Sequence, residues 1–224
     1  GYLDKVSISA DEFFEELETN PDHPTTSQPA PGDFRRQFQF LASHFSDVLS
    51  ISVTARASGT YQAAQAAAER INAPGRIRVI DSLNASTGQG LIATLAAECS
   101  ALGMTAKETV TLLESVIPET RAYGVVSDLR YAVRGGRVPG YVKTIAGLLA
   151  ITPVLRSNPD GRISSSGFLF GRKRRIKALA RYIAKDAPNE PVAVLIGHAV
   201  CPDDAQEMRE RLEQELPSIA RMSI

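Results

Sequence analysis

The sequence predicts an α/β protein in which a parallel sheet is covered by helices on both faces, with a second, smaller α+β domain after it. Between residues 48 and 117, apolar segments of strand length alternate with helical segments, a pattern typical of a parallel sheet. After about residue 121 the pattern changes to short strands around Gly-rich turns. A chain of 224 residues can bury one large or two small cores. We therefore expect domains at residues 1–120 and 121–224.

The first domain is expected to begin with an acidic amphipathic helix at residues 9–18, capped by Ser9, with Phe13, Phe14 and Leu17 on its buried face. A Pro-rich loop follows, up to residue 31. An Ala-rich helix beginning near Ser58 can pack closely on a sheet. In chain order, the other elements expected are a helix at 34–45, a strand at 48–53, the Ala-rich helix at 58–71, a strand at 77–80, and helices at 85–102 and 106–117.

The second domain is expected to be built around two turns. Gly135 and Gly136 mark one turn, and the run from Asn158 to Gly161 marks the other, between two strands. The remaining elements expected are a strand at 123–126, a short apolar helix at 142–149, a helix at 172–187, a strand at 192–196 and a helix at 203–215.

Composition excludes several classes of partner. Lys plus Arg and Asp plus Glu each number 25, so the net charge is zero and no global field attracts nucleic acid or an anionic membrane. No window approaches about 18 uninterrupted apolar residues, so we expect no stable membrane insertion. Cys99 and Cys201 lack the spacing of a metal or redox site, which favours a reduced, cytoplasmic compartment.

Two hydroxyl-rich loops are the candidate binding site. The first hydroxyl loop holds Thr25, Thr26 and Ser27, and the second holds Thr54, Ser58 and Gly59. Hydroxyls donate hydrogen bonds, glycine allows close backbone approach, and the helix expected near Ser58 directs its free N–H groups and positive dipole end at the same place. A carboxylate or a phosphate would suit this arrangement. The alternative is that the hydroxyls bond their own backbone and that Ser58 is a helix cap, which is compatible with binding.

A basic run, Arg172-Lys173-Arg174-Arg175-Ile176-Lys177, opens the helix expected at 172–187. Cations at the start of a helix oppose its dipole and cost on the order of 0.3–1 kcal/mol each, so the placement calls for an anionic partner. Arg134 and Arg137 can extend the same patch. The alternative is a solvated helix face.

These residues resemble the DegV family, whose members bind a fatty acid. The resemblance rests on the two hydroxyl loops and on four later segments that follow in the family's order: Val79-Ile80-Asp81-Ser82 with Gly88-Gln89-Gly90, Gly135-Gly136-Arg137-Val138, Thr152-Pro153-Val154-Leu155, and Asp160-Gly161. It implies a lipid-binding protein of the EDD fold that encloses a long-chain fatty acid between two domains and presents its carboxylate to a separate fatty-acid kinase.

The resemblance also implies which residues bind the partner. The sequence differs from the family's pattern at both of its ends. Arg137 and Arg174 match positions that face the kinase in the family's carrier members, and Arg172 lies in the same basic run. The family's N-terminal Asp-Ser-Thr strand and C-terminal Gly-rich segment with its His have no counterpart, so we expect an excerpt or a truncated chain. No cofactor or metal is implied.

The alternative from the enzyme class is a hydrolase or acyltransferase with Ser58 or Thr26 as nucleophile. Such a residue needs an activating base held by a third group, and the sequence has no Gly-x-Ser-x-Gly elbow and no evident Ser, Asp and His order. The three histidines, His23, His44 and His198, are expected to have structural roles. A regulatory module that binds no ligand is a third possibility.

Overall fold

A computed structural model of the protein describes residue 2 and residues 6–126, 129–136, 151–171 and 174–224. Its helices are α1 (Ala10–Thr19), α2 (Pro31–His44), α3 (Thr60–Ala68), α4 (Thr87–Ala101), α5 (Ala106–Val116), α6 (Leu129–Arg134), α7 (Arg175–Asp186) and α8 (Pro202–Glu215). Its strands are β1 (Val48–Ser52), β2 (Ile77–Asp81), β3 (Tyr123–Gly124), β4 (Ile151–Ser157), β5 (Ile163–Phe170), β6 (Val192–Leu195) and β7 (Ile219–Ser223).

Strands β1 and β2 run parallel, and helices cover both of their faces. The register pairs Val48 with Ile77 and Ile51 with Ile80. Because side chains alternate along a strand, these two pairs point to opposite faces. Val48 and Ile77 pack with residues of α2 and α3, whereas Ile51 and Ile80 pack with Ile92 of α4 and with residues of α5. This arrangement confirms the predicted α/β class.

The second half of the chain forms an α+β unit with its own core. Strands β3, β4 and β5 form an antiparallel sheet, and β6 pairs with β7 in parallel. Val154 of β4, Leu179 of α7 and Leu212 of α8 lie in one buried cluster, against which Val192 and Ile219 of the β6–β7 pair pack. Burial of these apolar side chains is the main source of stability of this half.

The two halves touch at several places. Leu195 of β6 lies against Gly90 of α4, and Arg221 of β7 forms an ion pair with Glu98 of α4. The expected division near residue 120 stays a prediction. Within the described ranges, no helix combines the length and the apolar character needed to cross a bilayer.

Most expected elements are present within a few residues of their expected bounds. Ser9 caps α1 in a capping box with Glu12, as expected. The expected buried face of α1 is wrong, since none of its ten residues, all of them described, is buried and Phe13 is 37% exposed. Strand β7 was not expected. The helix expected at 142–149 lies outside the described residues.

Candidate functional site

The candidate site lies at the carboxyl ends of β1 and β2, where ligands of parallel sheets bind. The loops that follow the two strands are joined to each other. The N–H of Thr54 donates to the carbonyl of Asn84 at 2.8 Å, and the N–H of Ala55 donates to Oδ2 of Asp81 at 3.2 Å. Asp81 Oδ1 also accepts from the N–H of Leu83 at 2.9 Å. Asp81 therefore fixes the turn.

Thr54 is fully buried, and its hydroxyl has a protein partner. Oγ1 of Thr54 donates to the carbonyl of Gly161, in the turn between β4 and β5, at 2.8 Å. Because a hydroxyl has one hydrogen to donate, that hydrogen is not available to a ligand. Thr54 was expected to bind the ligand directly, whereas in this structure it anchors the second hydroxyl loop to the other half of the chain.

Ser58 and Gly59 form the turn that leads into α3. The helix begins at Thr60 with Gly59 as its cap residue, so Ser58 is not the cap that the sequence suggested. The reason is local, because Oγ of Ser58 accepts from the N–H of Thr60 at 3.2 Å and lies 2.7 Å from the hydroxyl of Thr60. No side-chain hydrogen bond caps α3. Apart from the N–H of Thr60, which donates to Ser58, the N–H groups of the first turn have no side-chain acceptor among the described residues and could meet an anion.

The first hydroxyl loop meets the second through Gln28. The side-chain amide of Gln28 lies directly beside the α-carbon of Gly59, in space that any larger residue at position 59 would occupy. Thr25, Thr26 and Ser27 are exposed, and in the part of the chain that the structure describes their hydroxyls make no hydrogen bond. The two loops predicted from the sequence are thus neighbours. The hydroxyl donors of the first loop are not used by any described residue.

The start of α4 is a further candidate that the sequence reasoning did not identify. Ser86 is its cap residue, with φ 52° and ψ −129°, a conformation that costs a non-glycine residue about 1–3 kcal/mol. Its side chain is exposed and makes no capping hydrogen bond. The Gly88-Gln89-Gly90 segment that follows was noted only as part of a resemblance. The N-termini of α3 and α4 therefore open at the same edge of the sheet without side-chain caps.

A buried polar network lies behind the two loops. Oδ1 of Asn84 accepts from the hydroxyl of Ser157 at 2.7 Å, and the Ser157 oxygen accepts from the N–H of Ala122 at 2.8 Å. The hydroxyl of Ser82 donates to the carbonyl of Asn84 at 3.0 Å. Each buried hydroxyl is satisfied, as such groups must be to be tolerated in a core. This network joins the loop after β2 to β4.

The expected partner-binding residues are only partly described. Arg174 is exposed at the cap position of α7, while Arg137 and Arg172 lie outside the described residues. Arg175 forms a 2.5 Å ion pair with Asp204 of α8. Beside Arg174, a shallow groove of about 730 Å³ runs between α7 and α8, and Lys177 and Lys185 contribute to its lining. Positive charge is therefore concentrated along the groove between α7 and α8.

No base within the described ranges is hydrogen-bonded to either nucleophile of the enzyme alternative. Among the described residues, the hydroxyl of Ser58 bonds only to Thr60 and that of Thr26 is unbonded. His44 bonds to its own helix, and Nδ1 of His198 accepts from the N–H of Cys201 at 3.3 Å. A nucleophile without an adjacent base is not activated.

The fold and site define an α/β protein in which the second hydroxyl loop and the starts of α3 and α4 lie at one edge of a parallel sheet. The sequence model of the family described as "Uncharacterised protein, DegV family" matches residues 1–224. The chain belongs to the DegV family. A DegV domain-containing protein of Caldanaerobacter subterraneus is 34% identical over 182 residues, which is 81% of this chain and 64% of that relative. The chain thus spans less than two thirds of that relative's length.

Solved structures share the fold. A structure described as showing fatty acid binding of a DegV family protein from Thermus thermophilus superposes with a TM-score of 0.84 at 27% identity, covering 99% of this chain and 78% of the other. The Streptococcus pneumoniae Fatty Acid Kinase (Fak) B3 protein, loaded with linoleic acid, superposes with a TM-score of 0.86 at 21% identity and the same coverages. The second likeness shows a common fold.

Proposed function

We propose that the chain binds a long-chain fatty acid and holds its carboxylate at the carboxyl ends of β1 and β2. One observation carries the proposal: in a chain of the DegV family, the first hydroxyl loop contacts the start of α3 through Gln28 and Gly59, and its own hydroxyls are unbonded among the described residues. Hydroxyl and N–H donors next to a helix N-terminus stabilise an anion.

The carboxylate would be bound by Thr25, Thr26 and Ser27 from one loop and by Ser58 with the backbone of Gly59 from the other. Ser86 at the start of α4 adds a hydroxyl at the same edge. Thr54 supports this site by fixing the second loop through Gly161. The acyl chain would lie between the domain of residues 1–120 and that of residues 121–224.

We further propose that the protein is a carrier and not an enzyme, and that it presents the bound carboxylate to a separate fatty-acid kinase. The family resemblance and the common fold with the Fak B3 protein support the kinase step. The exposed Arg174 and the cations beside it supply a surface for an acidic partner. The cytoplasmic location expected from the cysteines, both of which are free, is part of the same proposal.

Lipid extraction tests the proposal directly. Protein purified from bacteria is denatured and extracted, and the extract is analysed by mass spectrometry. A long-chain fatty acid in substantial amount relative to protein is the expected result, with a matched bacterial protein of another fold as control. An extract that carries nucleotide or sugar phosphate instead would refute the acyl ligand. Release of product from acyl esters would favour the hydrolase alternative.

A further inference from the structure

A buried nitrogen of His23 has no partner in the structure. The ring of His23 is half-buried, and within the described part of the chain its Nδ1 is one of three buried side-chain atoms without a hydrogen-bond partner, the others belonging to Arg156 and Ser165. Arg156 has another nitrogen 2.7 Å from Asp186, and Ser165 lies within β5. His23 differs from both because it immediately precedes the first hydroxyl loop. A buried polar atom without a partner is costly, so an additional group is expected to meet it.

A stacking contact positions the imidazole. Its ring stacks on that of Tyr131 in α6, with ring centroids 6.2 Å apart and planes at 14°. The hydroxyl of Tyr131 donates to the carbonyl of Leu17 in α1 at 3.3 Å, so the stacking partner is itself positioned. Pro24 restricts the backbone of His23 to extended conformations. The unpartnered nitrogen therefore belongs to a side chain whose position is constrained.

His23 is also close to the hydroxyls that the proposed site uses. Only one residue separates it from Thr25, so the two α-carbons lie within about 7 Å. A carboxylate accepts hydrogen bonds only, and a neutral imidazole can carry its hydrogen on Nδ1. With its hydrogen on Nδ1, the imidazole needs an acceptor, and the acceptor that the proposed site supplies next to Thr25 is the ligand carboxylate.

We propose that Nδ1 of His23 donates a hydrogen bond to the ligand carboxylate, which makes His23 a ligand-binding residue of this chain. This inference rests on the proposed function, and it names a residue whose expected role was structural. In the ligand-free protein the nitrogen is unpaired, and carboxylate binding satisfies it. His23 thus contributes to the preference for an acid over an uncharged lipid of the same length.

The test compares oleic acid with oleyl alcohol, measured by titration calorimetry on the parent and on three variants. His23→Phe keeps the ring stack on Tyr131 and removes the nitrogen. We expect it to weaken oleic acid binding at least tenfold, leave oleyl alcohol binding unchanged, and raise the urea midpoint of ligand-free protein because an unpaired buried polar atom is gone. His23→Asn restores a donor near the position of Nδ1 and should recover most of the acid preference. His44→Phe, at an exposed histidine whose Nδ1 already lies 2.8 Å from the Phe40 carbonyl, is the matched control and should not change acid binding.

Each other result overturns the inference. Unchanged acid affinity in His23→Phe means that water or no group meets the nitrogen. An equal loss for acid and alcohol means that His23 acts through packing. A parent that binds neither lipid refutes the proposed function itself, and the inference falls with it. If the parent binds oleic acid more tightly than oleyl alcohol and His23→Phe binds the acid equally well, only the inference about His23 is refuted. The proposed function is not contradicted by that result.

Discussion

The hydroxyl of Thr54 donates a 2.8 Å hydrogen bond to the carbonyl of Gly161, a residue 107 positions further along the chain. Gly161 has φ +82°, and an added β-carbon there would lie 2.5 Å from Oγ1 of Thr54. Only glycine at position 161, in a left-handed conformation, therefore allows the turn between β4 and β5 to approach the second hydroxyl loop this closely. This contact holds the loop of the proposed site against the second half of the chain.

Thr54→Val should destabilise the protein. Valine has nearly the same shape, but it leaves the buried carbonyl of Gly161 without its donor, which costs about 1–3 kcal/mol. The free energy of unfolding, measured with urea, is expected to fall by that amount. Thr111→Val makes the same change at an exposed position of α5 and should have little effect. Equal midpoints for the two variants would show that the Thr54 bond does not contribute to stability.

Local patterns were enough to predict most of the fold. The strand-length apolar runs place β1 and β2, and the Ser9 and Glu12 pair specifies the start of α1, because each signal lies within a few residues. Strand β7 was missed because Ile219 and Met222 are its half-buried positions and its stability comes from pairing with β6. Such pairing is not encoded locally.

The site was predictable in part for the same reason. The hydroxyls of both loops are visible in the sequence, and the place of the second loop at the carboxyl end of β1 follows from the topology. The actual role of Thr54 depends on Gly161, far along the chain, and the start of α3 at Thr60 depends on the hydroxyl of Ser58 bonding within its own turn. The position of the His23 ring, which carries the unpaired nitrogen, depends on its stacking on Tyr131. Long-range contacts decide the details at Thr54 and His23, and the detail at Ser58 depends on a side-chain bond that the helix pattern does not encode.

Arg174→Glu should affect delivery but not binding. Arg174 is exposed at the start of α7, so its charge can reach a partner, and charge reversal would repel an acidic surface. With the cognate kinase, the rate of acyl-phosphate formation is expected to fall, most strongly at low salt, where exposed charges are least screened. Arg35→Glu, at an exposed position of α2, carries the same charge change and is the control. Identical turnover of both variants and parent would mean that Arg174 lies on a solvated face.

Thr105→Ala should alter the acid stability of the protein. The Thr105 side chain, followed by its backbone N–H, bonds to the carboxylate of Glu108 and holds the pKa of Glu108 below its ordinary value of 4.5. A lowered pKa stabilises the fold at higher pH, and this contribution is lost as the pH falls through the lowered value. We expect the variant to unfold more easily at pH 7, and the difference from the parent to shrink below about pH 4.5. Thr111→Ala, on the same helix, should keep the pH dependence of the parent in urea titrations. A difference independent of pH would exclude the Glu108 contribution.

Thr26→Val and Ser58→Ala should each weaken fatty-acid binding and spare the fold. Each deletes a hydroxyl donor to an anion, and a charge-assisted hydrogen bond of about 1.5–3 kcal/mol corresponds to roughly ten- to a hundredfold in affinity. Thr26 is exposed and unbonded, so its variant tests binding alone, whereas Ser58→Ala also removes the acceptor of the Thr60 N–H. A carrier would lose affinity for oleic acid and keep its affinity for oleyl alcohol, because only the acid presents an anion. A hydrolase would keep its ligand and lose turnover. Unchanged acid affinity in both variants, with circular dichroism showing native folding, would place the carboxylate away from both loops.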